Sequence, residues 1–408
     1  MATSTPPAPP RLLYIDALRG IAILMMILVH GLRGLLGPPW RERLPAPGMH
    51  GLEALGVHVW WWVYTTTPFV STLFLTLVGF SLALSIRRAP DPAAWRRRQL
   101  LRALGLVGIS MLFFLVERGV HWPYPFLSAG ILHTIGVGIL LGVWVVGEER
   151  WRRWALAGWV LVTVLLTALA EARPDHPLAR LAQGPGSHAP NLVFVALGAA
   201  LGRWALDLTP RLRRVVPILG ALILLVYHGA ILPPVQESRA AAGQVRSTVE
   251  VGFNQPWGRI TTWREWDVGP GLGSVHQLKQ LAARLDPEGT SPPPGLRKHP
   301  FWNKRLRQVP WLVGIMLLLF GVAWTRPVDR VLGVSGGLLR PLLLPGRYAL
   351  RVYVFHLVVL AVVVTAFGRA VHPPGVALGF TGGVFLLSWG LAEGSAWWRR
   401  RRSSMGSS

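Results

Sequence analysis

The sequence predicts an all-α fold: a polytopic membrane helix bundle of about ten transmembrane helices with one long extramembrane loop. Three observations predict it. Hydrophobic residues make up 51% of the 408 and charged residues 15%, with a mean hydropathy of +0.41. A soluble domain would carry roughly a quarter charged residues. Several apolar runs reach the about 20 residues needed to cross a bilayer as a helix. The basic residues, nearly all arginine, gather in alternate short loops, which is the pattern that orients a membrane protein.

Ten hydrophobic segments are read along the chain, roughly 19–37, 63–86, 103–117, 125–147, 154–171, 191–208, 215–232, 310–324, 348–367 and 375–393. With the N-terminus inside, the inside pieces and their flanking helix ends hold 24 of the 42 basic residues. The short outside loops hold seven, and the remaining 11 lie in one stretch, 233–309. Long translocated loops are exempt from the charge rule. Both termini are therefore expected in the cytoplasm. The chain divides into seven helices over 1–232, an extracytoplasmic loop or small subdomain over 233–309, and three helices with a basic tail over 310–408. The opening "MATSTPPAPP" lacks a basic n-region, so no cleaved signal is expected. No internal repeat of clean period is found, whereas inverted-repeat transporters often show one.

Composition also excludes chemistry. With no cysteine, disulfides, thiolate metal sites and cysteine nucleophiles are ruled out. The net charge of +24 follows topology rather than a groove, so no nucleic-acid partner is expected.

Candidate chemistry begins in "YIDALRGIAILMMILVH" (Tyr14 to His30). Asp16, Arg19, Ile23, Met26 and His30 are spaced 3, 4, 3, 4, one stripe on one helix face. Arg19 and His30 are separated by about 16 Å of helical rise. An ionisable residue in hydrocarbon is a functional-site hypothesis by default, although Arg19 also reads as a snorkelling interfacial residue and His30 as a helix-packing one. His50 and His58 lead into the second segment beside Trp60, Trp61 and Trp62, an aromatic belt that puts His58 close in depth to His30. Two histidines with Glu53 as the nearest acid do not make a metal site, and no metal is expected. His133 and His356, the latter with Tyr353 and Arg347, read first as bundle packing. Trp257, Trp263 and Trp266 in the long loop read as subdomain core or as a sugar-stacking surface.

The opening helix resembles that of integral-membrane acyltransferases, above all the bacterial proteins similar to heparan-α-glucosaminide N-acetyltransferase. Further blocks match in order: "LFLTLVGFSLALS" with Gly79, "GILHTIGVGILL", "NLVFVALGAALGR" and "GRYALRVYVFH". The resemblance implies transfer of an acetyl or acyl group from a coenzyme A thioester, at the cytoplasmic face, to an acceptor across the membrane. It also implies about ten transmembrane helices. Arg19 and His30 match the basic residue and the histidine of the family's first helix. Eukaryotic members carry asparagine at the position of His30 and a key histidine before the second helix. Aligning on Gly79 puts that histidine at His58. The 233–309 insertion departs from the pattern and leaves the substrate open.

The chemistry needs a base to activate the acceptor and cations for the donor's phosphates. The candidate catalytic residues are His30, His58 and Asp16, with Asp16 orienting Arg19. The candidate donor-binding residues are Arg19, Arg87 and Arg88; the triplet Arg96, Arg97 and Arg98 reads first as topology. Direct transfer is favoured over an acyl-histidine intermediate. The donor expected is acetyl-CoA or another acyl-CoA. The other partners are the bilayer and a glycan or lipid acceptor, with a homodimer allowed. The setting expected is a bacterial inner membrane. The alternative function is a transporter or flippase for a polar lipid or sugar.

Overall fold

A computed structural model describes residues 12–37, 50–118, 130–147, 152–173, 176, 178, 188–227, 309–324, 339–368 and 371–405. The helices in order are α1 (Leu13–Leu35), α2 (Gly51–Arg87), α3 (Pro92–Arg118), α4 (Ile131–Gly147), α5 (Arg152–Ala172), α6 (His188–Asp207), α7 (Pro210–Val226), α8 (Val309–Ala323), α9 (Arg340–Arg347), α10 (Ala349–Phe367) and α11 (Pro374–Met405). Among the described residues there is no strand, only one bridge between Leu36 and His372. The long loop lies outside the described residues apart from Val309, as do Trp257, Trp263 and Trp266.

Each of the ten hydrophobic segments overlaps a helix, but the expectation of ten crossings is met only in part. Among the described residues, four helical stretches are long and apolar enough to span a membrane: Leu13–Leu35, Phe69–Arg87, Ala349–Phe367 and Pro374–Arg401. Three more, Ile131–Val146, Trp154–Leu169 and Val309–Ala323, are apolar but shorter. At 1.5 Å per residue, the 15 residues of α8 rise only about 22 Å, less than the roughly 30 Å of a hydrocarbon core. In α3 the length suffices, but Arg96, Arg97, Arg98 and Arg102 occupy its first half.

Local signals set several helix starts. Asp91 accepts from the backbone N–H of Ala93 (2.8 Å) and Ala94 (3.1 Å), with Pro92 at the first helical position of α3. Thr209 caps α7 in the same way, accepting from the N–H of Leu212, again followed by proline.

Packing relies on small residues, as it must where lipid removes the hydrophobic drive between helices. Helix α2 meets α6 backbone to backbone. A Cβ at Gly79 would run into the Val195 carbonyl, one at Gly198 into the Thr76 carbonyl, and one at Gly202 into Phe80. Helices α7 and α8, on either side of the long insertion, close on each other through Gly220 and Gly321, the latter against Pro217. Helix α1 is in contact with α2, α9, α10 and α11. Its far end is tied by Gly37 N–H to the His372 carbonyl and His372 N–H to the Leu35 carbonyl, both 3.0 Å.

Candidate active site

The near end of α1 borders a cavity of about 660 Å³. Asp16 and Arg19 enter it from α1, Ser81 and Ser85 from α2, Arg88 from just past the end of α2, and Arg102 from α3. Arg347, Arg351 and Arg399 complete the wall from α9, α10 and α11. Six arginines and one carboxylate thus surround a single space. The carboxylate is buried, and Arg19 lies half-buried against it at 3.4 Å while donating to the Ser81 hydroxyl. Ser81 in turn donates to the Leu77 carbonyl of its own helix (2.5 Å). The other arginines stand exposed at the rim, and the guanidinium of Arg399 lies over the Tyr348 ring at 4.6 Å.

Two glycines let this corner form. A Cβ on Gly346 would collide with the Asp16 carbonyl, and one on Gly20 with the Leu342 carbonyl. Helix α9 is therefore clamped on the first turns of α1 at a distance only glycine permits. The clamp sets Arg347 beside Arg19 on the cavity wall. Hydropathy gave no sign of α9, an eight-residue helix that contains Pro341 and Pro345; the short "LRG" and "GR" motifs were the available signal.

The far end of α1 is a different environment. Nδ1 of His30 lies 3.0 Å from Nε2 of His356, and the rings stack with centroids 5.3 Å apart and planes within 10°. His356 is fully buried on α10, and its Nδ1 lies 3.3 Å from the Val352 carbonyl. Tyr353 packs edge-on to both imidazoles, at 5.1 Å from His356 and 6.3 Å from His30. Phe74, which lines the cavity, touches Tyr353 at 5.9 Å. The blocks "YIDALRG…H" and "GRYALRVYVFH" therefore meet twice, at the glycine clamp and at the histidines.

Several expectations need correction. The 3-4 stripe does not line a passage from Arg19 to His30. Only Asp16 and Arg19 border the cavity, while Ile23 and Met26 are fully buried packing residues. Helices on several sides of α1 fill that stretch with side chains. Nor do His30 and His58 share one site by contact. His30 meets His356, and among the described residues no hydrogen bond or ring contact joins it to His58. His58 is exposed on the first turns of α2. Its neighbours Val57 and Trp60 turn inward onto Leu32, Leu35 and Ala377, so helical geometry points His58 outward. Trp60 is accordingly core rather than belt, whereas Trp62 is exposed. Arg88 reaches the cavity, but Arg87 is ion-paired at 2.7 Å with Asp207, which Arg203 also holds. Residue-type reasoning missed Arg102, Arg351 and Arg399, which come from three separate helices. The packing role it gave His356 agrees with the buried face that Tyr353, His356 and Leu360 form on α10, but the contact with His30 went unread.

A known sequence family, described as "Heparan-alpha-glucosaminide N-acetyltransferase, catalytic", matches residues 11–219. The chain belongs to this family. The match covers the helix that carries Asp16, Arg19 and His30 and the α2–α6 glycine contact. Together with the apolar helices, it identifies an integral membrane protein of acyltransferase type. No curated protein matches the chain. The "GRYALRVYVFH" block lies beyond the matched residues but packs on their first helix.

Proposed function

We propose that the protein transfers an acetyl or other acyl group from a coenzyme A thioester to a hydroxyl or amine of a glycan or lipid acceptor across the membrane. One observation carries this reading: six arginines around a cavity on the first helix of the family match. Coenzyme A bears an adenosine 3′-phosphate and a pyrophosphate, and the planar guanidinium fork suits such oxygens. About 660 Å³ lies within the range of small-molecule pockets. These arginines belong to the inside set of the charge count, which supports a cytoplasmic donor and cytoplasmic termini.

In this reading Arg19, fixed by Asp16 and Ser81, grips the donor. The pantetheine arm is about as long as the roughly 16 Å rise from Arg19 to His30. Phe74 and Tyr353 stand between cavity and histidines and must part for the thioester to reach His30. His30 takes the proton of the acceptor hydroxyl or amine as general base. The freed lone pair bonds to the thioester carbonyl carbon, the C–S bond breaks, and the departing thiolate takes the proton back from the imidazolium. His58, on the same end of the bundle as His30, is assigned to the acceptor side.

Purified protein in lipid discs tests the reading. It should bind coenzyme A more tightly than dephospho-coenzyme A, and cells expressing it should gain acylated envelope glycans or lipids by mass spectrometry. Binding without any acylated product would point instead to transport, and no binding at all would overturn the donor assignment.

A further inference from the structure

The histidine pair carries more than a contact. The Val352 carbonyl can only accept a hydrogen bond, so the Nδ1 beside it at 3.3 Å places a proton on Nδ1 of His356. A neutral imidazole protonated at Nδ1 has its lone pair on Nε2. That Nε2 lies 3.0 Å from Nδ1 of His30, which must then be the donor. Once Nδ1 of His30 holds the proton, the lone pair of the neutral ring is left on Nε2. A backbone carbonyl thus sets the tautomers of two rings in series. The i−4 position of Val352 on α10 gives this carbonyl a fixed geometry, and the edge-on ring of Tyr353 holds both imidazole planes.

We infer that His356 is a positioning residue that makes Nε2 of His30 the basic atom of the transfer reaction. This rests on the general-base reading of His30. The role follows the logic of an orienting group behind a catalytic histidine, with a neutral imidazole in place of a carboxylate. When Nε2 of His30 takes the acceptor's proton, the Nδ1–H of the resulting imidazolium donates to His356 more strongly, and the charge is stabilised without a buried anion. The arrangement also explains the asymmetry of burial. His356 is sealed away, while His30 keeps some exposed surface.

The experiment compares four proteins in lipid discs: wild type, His30→Ala, His356→Leu and His356→Gln. The Gln variant places a carbonyl oxygen where Nε2 stood, and the Leu variant fills the space with no acceptor. His356→Leu should lower kcat by about 10²-fold or more while donor KM changes by less than about threefold, and His356→Gln should recover at least about tenfold of that loss. Nitrogen-15 spectra of histidine-labelled wild type should show His30 protonated at Nδ1, with Nε2 unprotonated. In His356→Gln this tautomer should persist. Protonation of His30 at Nε2 in the wild type would overturn the inference, as would equal kcat in the Leu and Gln variants. An inactive His30→Ala beside a fully active His356→Leu would end the role of His356 alone. Full activity in His30→Ala would instead end the general-base reading beneath it. If His356→Leu does not fold, the Gln variant and the wild-type spectrum still decide.

Discussion

The two ends of α1 are opposite solutions to one problem, the placement of ionisable groups in an apolar bundle. At the Asp16–Arg19 end the polar groups border a cavity rimmed with exposed arginines. Charge is kept there by solvent, by a paired carboxylate and by a serine hydroxyl. At the His30 end two imidazoles face one another inside the protein, with the half-buried Arg33 one turn further along α1. The first arrangement suits a polyanion, and the second suits proton transfer in a dry site. Three apolar turns separate them, so each end keeps its own dielectric.

Substitution at the histidine end should have the largest effect. His30→Ala is expected to lower kcat by about 10²–10⁴-fold, with donor Kd within about twofold of wild type, measured by turnover and equilibrium binding. A large rise in Kd would mean that the two ends are not separate. At the other end the signs reverse. Arg19→Ala should weaken coenzyme A binding by about 10–100-fold, the worth of one or two hydrogen bonds to a charged group. High salt should erase part of the difference because the rim is exposed; a Kd indifferent to both changes would remove Arg19 from the donor site.

The glycine clamp separates stability from chemistry. Gly346→Ala forces a Cβ onto the Asp16 carbonyl, which is backbone and cannot rotate aside. It should cost about 1–3 kcal/mol, read as a lower Tm, and should weaken donor binding through the displaced wall. Gly31→Ala meets only the Thr381 side chain at the other end, so its Tm should fall less. The smallest effect is expected at Arg87. Its ion pair with Asp207 is about 41% and 34% exposed on its two side chains. Arg87→Ala should change stability by less than about 1 kcal/mol and leave coenzyme A affinity alone. A tenfold loss of affinity would show that Arg87 leaves Asp207 to join the donor site.

Much of the bundle was legible in the sequence because hydropathy and charge asymmetry are local. A run such as Leu13–Leu35 declares a helix wherever it packs, and each apolar segment found its helix. The helix α9 was not legible, since eight residues with two prolines carry no period long enough to detect. The α2–α6 contact was half legible: Gly79 stood out as a small residue in its block, but its partners, and the roles of Gly198 and Gly202, could not be read from it.

By itself, the sequence determined an all-helical membrane chain, the family of its first half, and the placement of Asp16, Arg19 and His30 on one helix. Their types and spacing are properties of one helix, and a helix fixes its own geometry through bonds four residues apart. Only the tertiary structure decided the partners. His30 meets His356 across 326 positions, Arg19 meets Ser81 across 62, and Arg87 turns away to Asp207. Such pairings depend on which helices pass within a few ångströms of one another. That is set by where glycines let backbones approach, a choice made jointly by two distant segments and written in neither alone.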